Sequence, residues 1–483
     1  DGISPQNLVD AVSTFNRPLL GRLDSDYLIL GVDESANEIV AASSLSGKFP
    51  VYFGIIDGKL VLSTDFGKIA RLLPLVKVNT SSLLDYLYTG YFLYITRETP
   101  VEGVYKLPPG HRLRVNSELK FKIEPIITAG EFLSEPVEYF KSREKFQEAV
   151  LQELKRTVRK MSTAVEDAKL TADLSCGFDS TLLAYVLKSE RIDDRCHFFS
   201  YISRKDTGDT RRELVEEFAK RHGLNLNIWD ETEVVTFSEI DVEWTKSHFF
   251  PGTHAALKEL LVQKYKREVM GARYVTFHGY GGDELYMAFM IHHDIERIIR
   301  DELNWVEEGV KAGIGKIFTR DALDMLRERK RFEVGGLYFS PLATTALEWF
   351  LFPVYWEFED WGLLPYNSLR LNQIARGIPK KDGIPLRKQQ IWQGRTDIFV
   401  PGQFRQKLPY DDHVMQIFDK RIDFLATVLE NSVLERLGLV NAKKMKEEIL
   451  QGKGGEYFKN LLPVFINLIR AEIFLQNLSK KIS

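Results

Sequence analysis

The stretch of residues 170–183, LTADLSCGFDSTLL, constrains the fold of this chain more than any other. Its pattern predicts the end of a buried strand, a tight Ser/Gly turn and the start of a helix. Such a turn presents backbone N–H groups at a helix N-terminus, where anions are stabilised. Gly177 lets the backbone approach a ligand closely, and Asp179 adds a carboxylate, which indicates Mg²⁺ beside a phosphate. The alternative is an ordinary capped strand–helix junction.

Strand and helix patterns alternate around this turn. The predicted elements are helices over 144–165, 181–189 and 210–222 and strands over 196–202, 225–229 and 274–277. This alternation predicts a parallel sheet with helices on its faces. Ligands of such sheets bind beyond the carboxyl ends of the strands, which is where the Ser/Gly turn lies.

A second Gly-rich turn follows the strand predicted at 274–277. It reads HGYGGDE over residues 278–284 and contains an acidic pair. Alone, it is equally consistent with a flexible loop of solvated acids. Two such strand ends in one α/β region could together hold a Mg²⁺–triphosphate, with Asp179 and Asp283 as metal ligands.

The first 130 residues have a different pattern, which is rich in strands. Asp57-Gly58 separates two apolar β-branched runs, a strong signal for a hairpin. A helix is predicted over 81–91, and the charged positions form no catalytic constellation. A chain of 483 residues is expected to hold more than one domain, and we predict domains at 1–130 and 131–483.

Composition excludes several classes of protein. The net charge of −3 gives no basic field for nucleic acid, so no nucleic-acid partner is expected. No apolar run is long enough to span a bilayer, and no membrane partner is expected. The two cysteines, Cys176 and Cys196, form no disulfide framework or zinc motif, so we expect a cytoplasmic protein.

Beyond residue 290 the pattern is mainly helical. Residues 344–361 are strongly aromatic, and an aromatic stripe of this kind predicts a buried core. The acids within it, which include Glu357 and Glu359, are less suited to a core and could line a pocket. A last apolar helix is predicted over 457–478.

These motifs resemble those of a known family. Residues 175–180 resemble the SGGxDS pyrophosphate-binding loop of N-type ATP pyrophosphatases, and with GYGGDE at 279–284 the chain resembles the asparagine synthetase superfamily. The segment 404–410, FRQKLPY, resembles a late loop of that superfamily whose catalytic lysine corresponds here to Lys407. The Leu-Pro-Tyr at 364–366 stands in the place of its Pro-Phe signature. There is no Walker motif that would indicate a P-loop NTPase.

The N-terminal region resembles the glutaminase-like domain of the same superfamily, at 50–54, 63–72 and 104–110. The resemblance implies an α/β protein with a β-rich, Ntn-type α+β sandwich, followed by a parallel-sheet ATP-pyrophosphatase domain with extra helices. The chain begins at Asp1 instead of a nucleophilic cysteine, and Ser43-Ser44 replace the usual Arg-Asp. We therefore expect a degenerate glutaminase-like domain.

Shorter sequence features indicate which members of this superfamily the chain resembles most. Tyr280, where asparagine synthetase has glutamate, resembles β-lactam synthetase. The stretches 461–470 and 197–200 are most similar to lasso-peptide cyclases. This resemblance implies an ATP-dependent, AMP-forming ligase that closes a macrolactam on a ribosomal precursor peptide, with a leader-peptide protease and a peptide-recognition protein as further partners. The alternatives are asparagine synthetase, a β-lactam-synthetase-like ligase for small molecules, or a non-catalytic peptide-binding partner.

The resemblance also implies roles for individual residues, with ATP and Mg²⁺ as cofactors. ATP and pyrophosphate would bind at Ser175, Gly177, Asp179, Ser180, Thr181 and Gly281, and the metal at Asp179 and Asp283. Tyr280 would be the base, polarised by Glu357 or Glu359, and Lys407 would stabilise the oxyanion. Cys176 replaces the first glycine of the loop, which would put a Cβ close to the phosphates and which motivates the non-catalytic alternative.

Overall fold

A computed structural model describes residues 4–23, 26–89, 97–202, 211–230, 237–248, 255–271, 273–282, 285, 306–328, 355–381, 384–400, 410–458 and 461–482. Within these ranges the chain is a mixed α/β structure with several sheets. The N-terminal part contains antiparallel sheets, and the middle part contains a parallel sheet. The end of the chain is helical.

The N-terminal part is built from two antiparallel sheets. Its strands are β1 (Leu28–Asp33), β2 (Glu38–Ser43), β3 (Tyr52–Ile56), β4 (Lys59–Ser63), β5 (Val104–Lys106), β6 (His111–Asn116) and β7 (Phe121–Pro125). Its helices are α1 (Pro5–Ser13), α2 (Arg17–Leu20), α3 (Phe66–Leu72), α4 (Thr80–Thr89) and α5 (Ala129–Ser134). The strand orders are β1-β2-β6-β7 and β4-β3-β5. Ala41 and Leu113 of the first sheet share one buried cluster with Phe53 of the second.

The predicted hairpin is confirmed. Strands β3 and β4 pair antiparallel, with Ile56 opposite Lys59. Asp57 and Gly58 between them have φ values of 48° and 69°. Both residues are in the left-handed region, which a two-residue turn of type I′ requires.

The predicted parallel sheet is also confirmed. Its elements in chain order are α6 (Arg143–Ala164), β8 (Lys169–Asp173), α7 (Phe178–Ser189), β9 (Cys196–Ile202), α8 (Arg211–His222), β10 (Leu226–Asp230), α9 (Glu239–Ser247), α10 (Ala255–Met270) and β11 (Tyr274–Phe277). The strand order is β10-β9-β8-β11, and every pairing is parallel. The strands that carry the two Gly-rich turns, β8 and β11, are therefore direct neighbours.

The segment around Leu363 extends this sheet beyond β11. Its backbone bridges Phe277 in the parallel sense. The N–H of His278 donates to the Leu363 carbonyl at 2.9 Å, and the Leu363 N–H donates to the Thr276 carbonyl at 2.6 Å. This pairing brings residues 361–366 to the edge of the sheet where the turns lie.

The rest of the described chain is mainly helical. Its helices are α11 (Arg320–Glu328), α12 (Leu369–Ala375), α13 (Lys388–Trp392), α14 (Tyr410–Glu430, kinked at Arg421), α15 (Val433–Arg436), α16 (Ala442–Leu450), α17 (Gly454–Phe458) and α18 (Leu462–Leu478), and a short ribbon joins β12 (Lys380–Lys381) to β13 (Ile384–Pro385). The predicted C-terminal helix is thus divided into α17 and α18. Helix α18 packs on α4, and side chains of both lie in one core. Across the described ranges, no helix has the length and apolar character that crossing a membrane requires.

The aromatic stretch departs from the prediction. Tyr355 is buried, but the exposed fractions of Trp356 and Trp361 are 60% and 46%. The prediction of a buried core is therefore wrong for these two tryptophans. They lie edge to face with ring centroids 5.7 Å apart, and Trp361 makes a similar contact with Phe49 of the N-terminal part. Residues 344–354 lie outside the described residues.

Candidate functional site

The first Gly-rich turn is closed by its own side chains. Helix α7 begins after Gly177, whose φ and ψ are −62° and 160°. The Ser180 hydroxyl accepts the Ser175 N–H at 3.1 Å and donates to the Gly177 carbonyl at 3.2 Å. The Ser175 hydroxyl lies 3.1 Å from that of Ser180 and accepts the Gly177 N–H at 3.2 Å. The turn therefore holds two hydroxyls at the N-terminus of a helix, as an anion site requires.

Cys176 occupies a backbone conformation that favours glycine. Its φ is 52°, in the left-handed region where a Cβ is disfavoured. The side chain is fully buried within the apolar cluster beneath the sheet. Burial raises the pKa of the thiol to about 12, although a hydrogen bond with Thr181 acts in the opposite direction. The thiol thus packs in the core, and the closeness of the Cys176 Cβ to phosphate stays a prediction.

Thr181 also lies in the core. Its side chain is fully buried and its hydroxyl bonds the Cys176 thiol. Its N–H donates to the Gly177 carbonyl at 3.2 Å. The structure thus gives Thr181 an internal position, and its contact with phosphate stays a prediction.

The second Gly-rich turn lies directly against the first. A Cβ on Gly279 would lie 3.0 Å from the backbone nitrogen of Ser180, and one on Gly282 would lie 2.2 Å from Asp179 Cγ. Gly281 has a φ of 87° and faces Asn367. Glycine at these positions allows the two turns to meet at the N-terminus of α7. Asp283, the second predicted metal ligand, lies outside the described residues.

Lys388 is a site residue that sequence reasoning missed. Its Nζ lies 2.5 Å from both carboxylate oxygens of Asp179. It also lies 4.7 Å from the ring centroid of Phe178. In the sequence it is one of several basic residues between 380 and 388, and nothing distinguishes it. Lys407, the lysine predicted from the resemblance, lies outside the described residues.

Tyr366, from the Leu-Pro-Tyr stretch, completes the surroundings of Asp179. Its hydroxyl donates to the Asp179 carbonyl at 2.8 Å. The resemblance placed this stretch in the family's signature position, and the structure brings it to the pyrophosphate-type turn. The contact holds the segment after Leu363 against the start of α7.

Tyr280 stands beside a histidine, and one predicted glutamate partner is engaged elsewhere. The rings of Tyr280 and His278 are nearly parallel, with an angle of 18° and centroids 5.2 Å apart. Both carboxylate oxygens of Glu359 accept from Arg273 at 2.7 Å, and this hydrogen bonding lowers the pKa of Glu359. Glu357 is exposed on the short helical segment that begins at residue 355.

A compensated charge network lies behind the turns. Asp173, the last residue of β8, has one carboxylate oxygen 2.9 Å from Lys266 Nζ and the other 2.7 Å from His278 Nδ1. Burial would raise the pKa of Asp173, but the Lys266 and His278 charges hold it well below its ordinary value. Burial would likewise lower the pKa of Lys266, yet Asp173, Asp360 and Glu259 raise it. Sequence reasoning missed this network, because a lysine in a helix is usually solvated.

A small, partly open pocket lies next to this network. It is lined by Lys48, Phe49, His278, Tyr355, Asp360, Trp361, Gly362 and Leu364. The Lys48 ammonium donates to the Gly362 carbonyl, which joins the N-terminal part to the segment at the sheet edge. The prediction that acids of the aromatic stretch line a pocket is fulfilled by Asp360.

The fit of Mg²⁺ can be judged from the donors present. Asp179 offers a carboxylate at the helix N-terminus, and Mg²⁺ commonly takes one or two carboxylates together with phosphate oxygens and water. In the described part of the chain, no three His, Cys, Asp or Glu side chains are placed to hold a metal ion. A magnesium ion at Asp179 would take the place that the Lys388 ammonium holds.

The two Gly-rich turns thus meet at two strand ends of a parallel sheet, where the sequence predicts an anion site. Residues 149–363 match the family model of asparagine synthase. This match supports placing the region in the asparagine synthetase superfamily, whose members use ATP, and it supports an ATP-dependent, amide-forming ligase in general. It includes both Gly-rich turns and the charge network. A comparison with curated proteins found no match.

Proposed function

We propose that this protein is an AMP-forming amide synthetase that adenylates a carboxylate and closes a macrolactam on a ribosomal precursor peptide, as a lasso-peptide cyclase does. The family match supports the general ligase activity. The observation that carries the proposal is the contact of the two Gly-rich turns, with Gly282 against Asp179. The peptide substrate is argued from the sequence resemblance.

The first turn would bind the leaving pyrophosphate. The Ser175 hydroxyl and the N–H groups at the start of α7 offer donors to phosphate oxygens. The Ser180 hydroxyl would leave the Gly177 carbonyl to donate to phosphate as well. Asp179 and Asp283 would hold Mg²⁺, which supplies charge compensation as the bond between the α- and β-phosphates breaks. The backbone of Gly281 and Gly282 would close the site over these groups.

Lys388 offers the site a positive charge near the phosphates. The sequence prediction gave the role of stabilising phosphate charge to Lys407. The Lys388 ammonium now neutralises Asp179. When ATP and metal bind, it would contact phosphate oxygens and stabilise the charge that develops on them. Lys407 keeps its predicted role at the acyl oxygen, and the two lysines would act on different atoms.

The surface beside the site suits a substrate larger than ammonia. Phe49, Trp356 and Trp361 form a continuous set of ring contacts, and the two tryptophans are strongly exposed. Phe49 and Trp361 also line the pocket. Exposed aromatic clusters of this kind are typical of interaction sites. This favours a peptide over the small substrates of the alternatives. Because the Cys176 side chain is in the core, its replacement of glycine no longer argues for a non-catalytic protein.

The test is to incubate the protein with ATP, Mg²⁺ and a candidate precursor peptide. We expect AMP, pyrophosphate and a peptide product that has lost one water. ADP and phosphate would contradict adenylation. Asparagine formed from aspartate and ammonia would support the asparagine synthetase alternative instead.

A further inference from the structure

We propose that Tyr366 is a positioning residue of the adenylating site, and that its hydroxyl holds the first Gly-rich turn in the geometry that pyrophosphate requires. The inference rests on the proposed function and adds a residue that acts through Asp179 instead of touching the reacting atoms. Three observations carry it: the contact of the hydroxyl with the first turn, the contact of the same segment with the second turn, and the anchoring of that segment at both ends.

The hydroxyl of Tyr366 is not needed to fill space. The residue is 1% exposed, and its ring lies in the apolar cluster beneath the parallel sheet. A phenylalanine would fill the same space but could not donate a hydrogen bond. The signature that residues 364–366 resemble ends in phenylalanine, so the hydroxyl is a departure from it. What the hydroxyl contacts therefore indicates its role.

The hydroxyl contacts the first Gly-rich turn. It donates to the Asp179 carbonyl at 2.8 Å, and Asp179 is the second residue of α7. The N–H groups of the first helical turn are the ones that face an anion at a helix N-terminus. The hydrogen bond from Tyr366 therefore fixes the position of the donors that the proposed function assigns to pyrophosphate.

The same segment lies against the second Gly-rich turn. A Cβ on Gly281 would lie 3.3 Å from Tyr366 Cβ and 2.5 Å from Asn367 Oδ1. These two neighbouring residues thus contact both turns, because the Tyr366 hydroxyl binds the first turn and Asn367 lies at Gly281 of the second. Their placement sets the distance between the start of α7 and the second turn.

The segment is anchored on both sides of Tyr366. Before it, the Leu363 N–H donates to the Thr276 carbonyl of β11 at 2.6 Å. After it, the Ser368 hydroxyl donates to the Glu153 carboxylate of α6 at 3.1 Å, and Ser368 is 2% exposed. The hydroxyl of Tyr366 is therefore held by parts of the structure other than the turn that it supports.

Phosphate binding depends on the accurate placement of its donors. Groups that are ordered before a ligand arrives bind it without the cost of ordering them, and a displacement of about 1 Å can lower a rate by about 10²-fold. Tyr366 makes and breaks no bond in the proposed reaction. It keeps the N–H groups of α7 and the Asp179 carboxylate in place while pyrophosphate forms and leaves.

The first experiment needs no ligand. Amide hydrogen exchange of the full chain is compared between the wild type and Tyr366→Phe. We expect exchange at residues 181–183 of α7 to become faster by about fivefold, because a hydrogen bond to the first helical turn is lost. Tyr27→Phe is the matched control, since the Tyr27 hydroxyl donates to the Leu20 carbonyl at 3.3 Å in the N-terminal part. Exchange in α7 that Tyr366→Phe leaves unchanged would overturn the proposal.

The second experiment measures the binding of pyrophosphate with Mg²⁺ by isothermal titration calorimetry. Both variants lose one buried hydrogen bond, so their Tm values should fall by similar amounts. The Kd for pyrophosphate should rise about fivefold in Tyr366→Phe and stay at the wild-type value in Tyr27→Phe. An unchanged Kd in Tyr366→Phe would restrict the hydroxyl to a structural role and overturn the proposal. If the wild type binds no pyrophosphate, the proposed function fails, while the exchange experiment still decides whether Tyr366 holds the turn.

Discussion

Among the residues that the structure describes, two lysines are buried, one in the N-terminal part and one behind the parallel sheet, and their electrostatic situations are opposite. Lys106 lies in β5 of the N-terminal part and is 2% exposed, and Lys266 lies in α10 behind the parallel sheet and is 0% exposed. Burial lowers the pKa of Lys106 to about 7. For Lys266 burial acts in the same direction, but Asp173, Asp360 and Glu259 outweigh it and raise the pKa. The parallel-sheet region thus keeps a charged group inside by surrounding it with acids.

The difference between the two lysines coincides with the position of the proposed site, which lies in the parallel-sheet region. Asp173, one of the acids around Lys266, also pairs with His278, and it ends the strand that carries the first Gly-rich turn. In the N-terminal part, the Ser44 and Ser46 hydroxyls bond each other at 2.9 Å. The predicted resemblance to a glutaminase-like domain places Ser44 in the pair that stands where Arg-Asp is usual, and the structure uses its hydroxyl for internal hydrogen bonding.

Replacement of Lys266, the buried lysine that is surrounded by acids, is expected to cause the largest loss of stability. Lys266→Met would leave Asp173, Asp360 and Glu259 without their shared cation, and breaking a buried ion pair from one side is costly. We expect the free energy of unfolding to fall by about 3 kcal/mol in urea denaturation. The exposed Lys264 of the same helix provides the control, Lys264→Met. An equally small loss in both variants would mean that Lys266 is not electrostatically compensated.

A third lysine extends the comparison to the site. Lys388 pairs with Asp179, and Lys388→Met should reduce the rate of pyrophosphate release by about 10²-fold, because a charge that stabilises phosphate is lost. The fold should stay intact by circular dichroism. Lys381→Met, at an exposed position in β12, should leave the rate unchanged. An unchanged rate in Lys388→Met would restrict the cationic role to Lys407.

Replacement of Lys106 should stabilise the protein, whereas replacement of Lys266 should destabilise it. Its folded pKa of about 7 lies below its ordinary value of 10.5, so the unfolded chain binds more protons between these values. The free energy of unfolding should therefore rise with pH across this window. Lys106→Met should remove this dependence and stabilise the protein by about 4 kcal/mol at pH 7. Urea titrations at pH 7 and pH 9 measure both effects, with Lys59→Met as an exposed control. A destabilised Lys106→Met variant would show that the amine is needed.

The smallest effect is expected at Cys176. Cys176→Gly relieves a left-handed backbone but removes a buried thiol, and the two contributions nearly cancel. The free energy of unfolding should change by less than about 1 kcal/mol. Pyrophosphate release should be unaffected, because the side chain points into the core. A tenfold change in that rate would place the side chain on the phosphate side of the turn.

The sequence predicted the framework of the site well. The bounds of β9 and β11 agree with the prediction, because short apolar runs between turns define buried strands sharply. The same patterns located both Gly-rich turns, and the parallel pairing of β8 with β11 made them neighbours. What could be predicted was therefore the part of the site that depends on local sequence and on sheet topology.

The remaining parts depend on packing between distant segments. Lys388 is 209 residues from Asp179, and Lys266 is charged because three acids from different elements surround it. A lysine in an amphipathic helix looks solvated until those contacts are known. The exposed positions of Trp356 and Trp361 were missed for the same reason, since aromatic composition does not reveal which side of a segment faces solvent.

The central claim is that the two Gly-rich turns form an adenylating site, and Asp179→Asn tests it most directly. The variant keeps the size of the side chain but loses the charge that would bind Mg²⁺. With ATP, Mg²⁺ and a precursor peptide, we predict AMP and pyrophosphate from the wild type, and a rate lower by about 10³-fold from the variant. ADP from the wild type, or undiminished AMP from Asp179→Asn, would contradict the account.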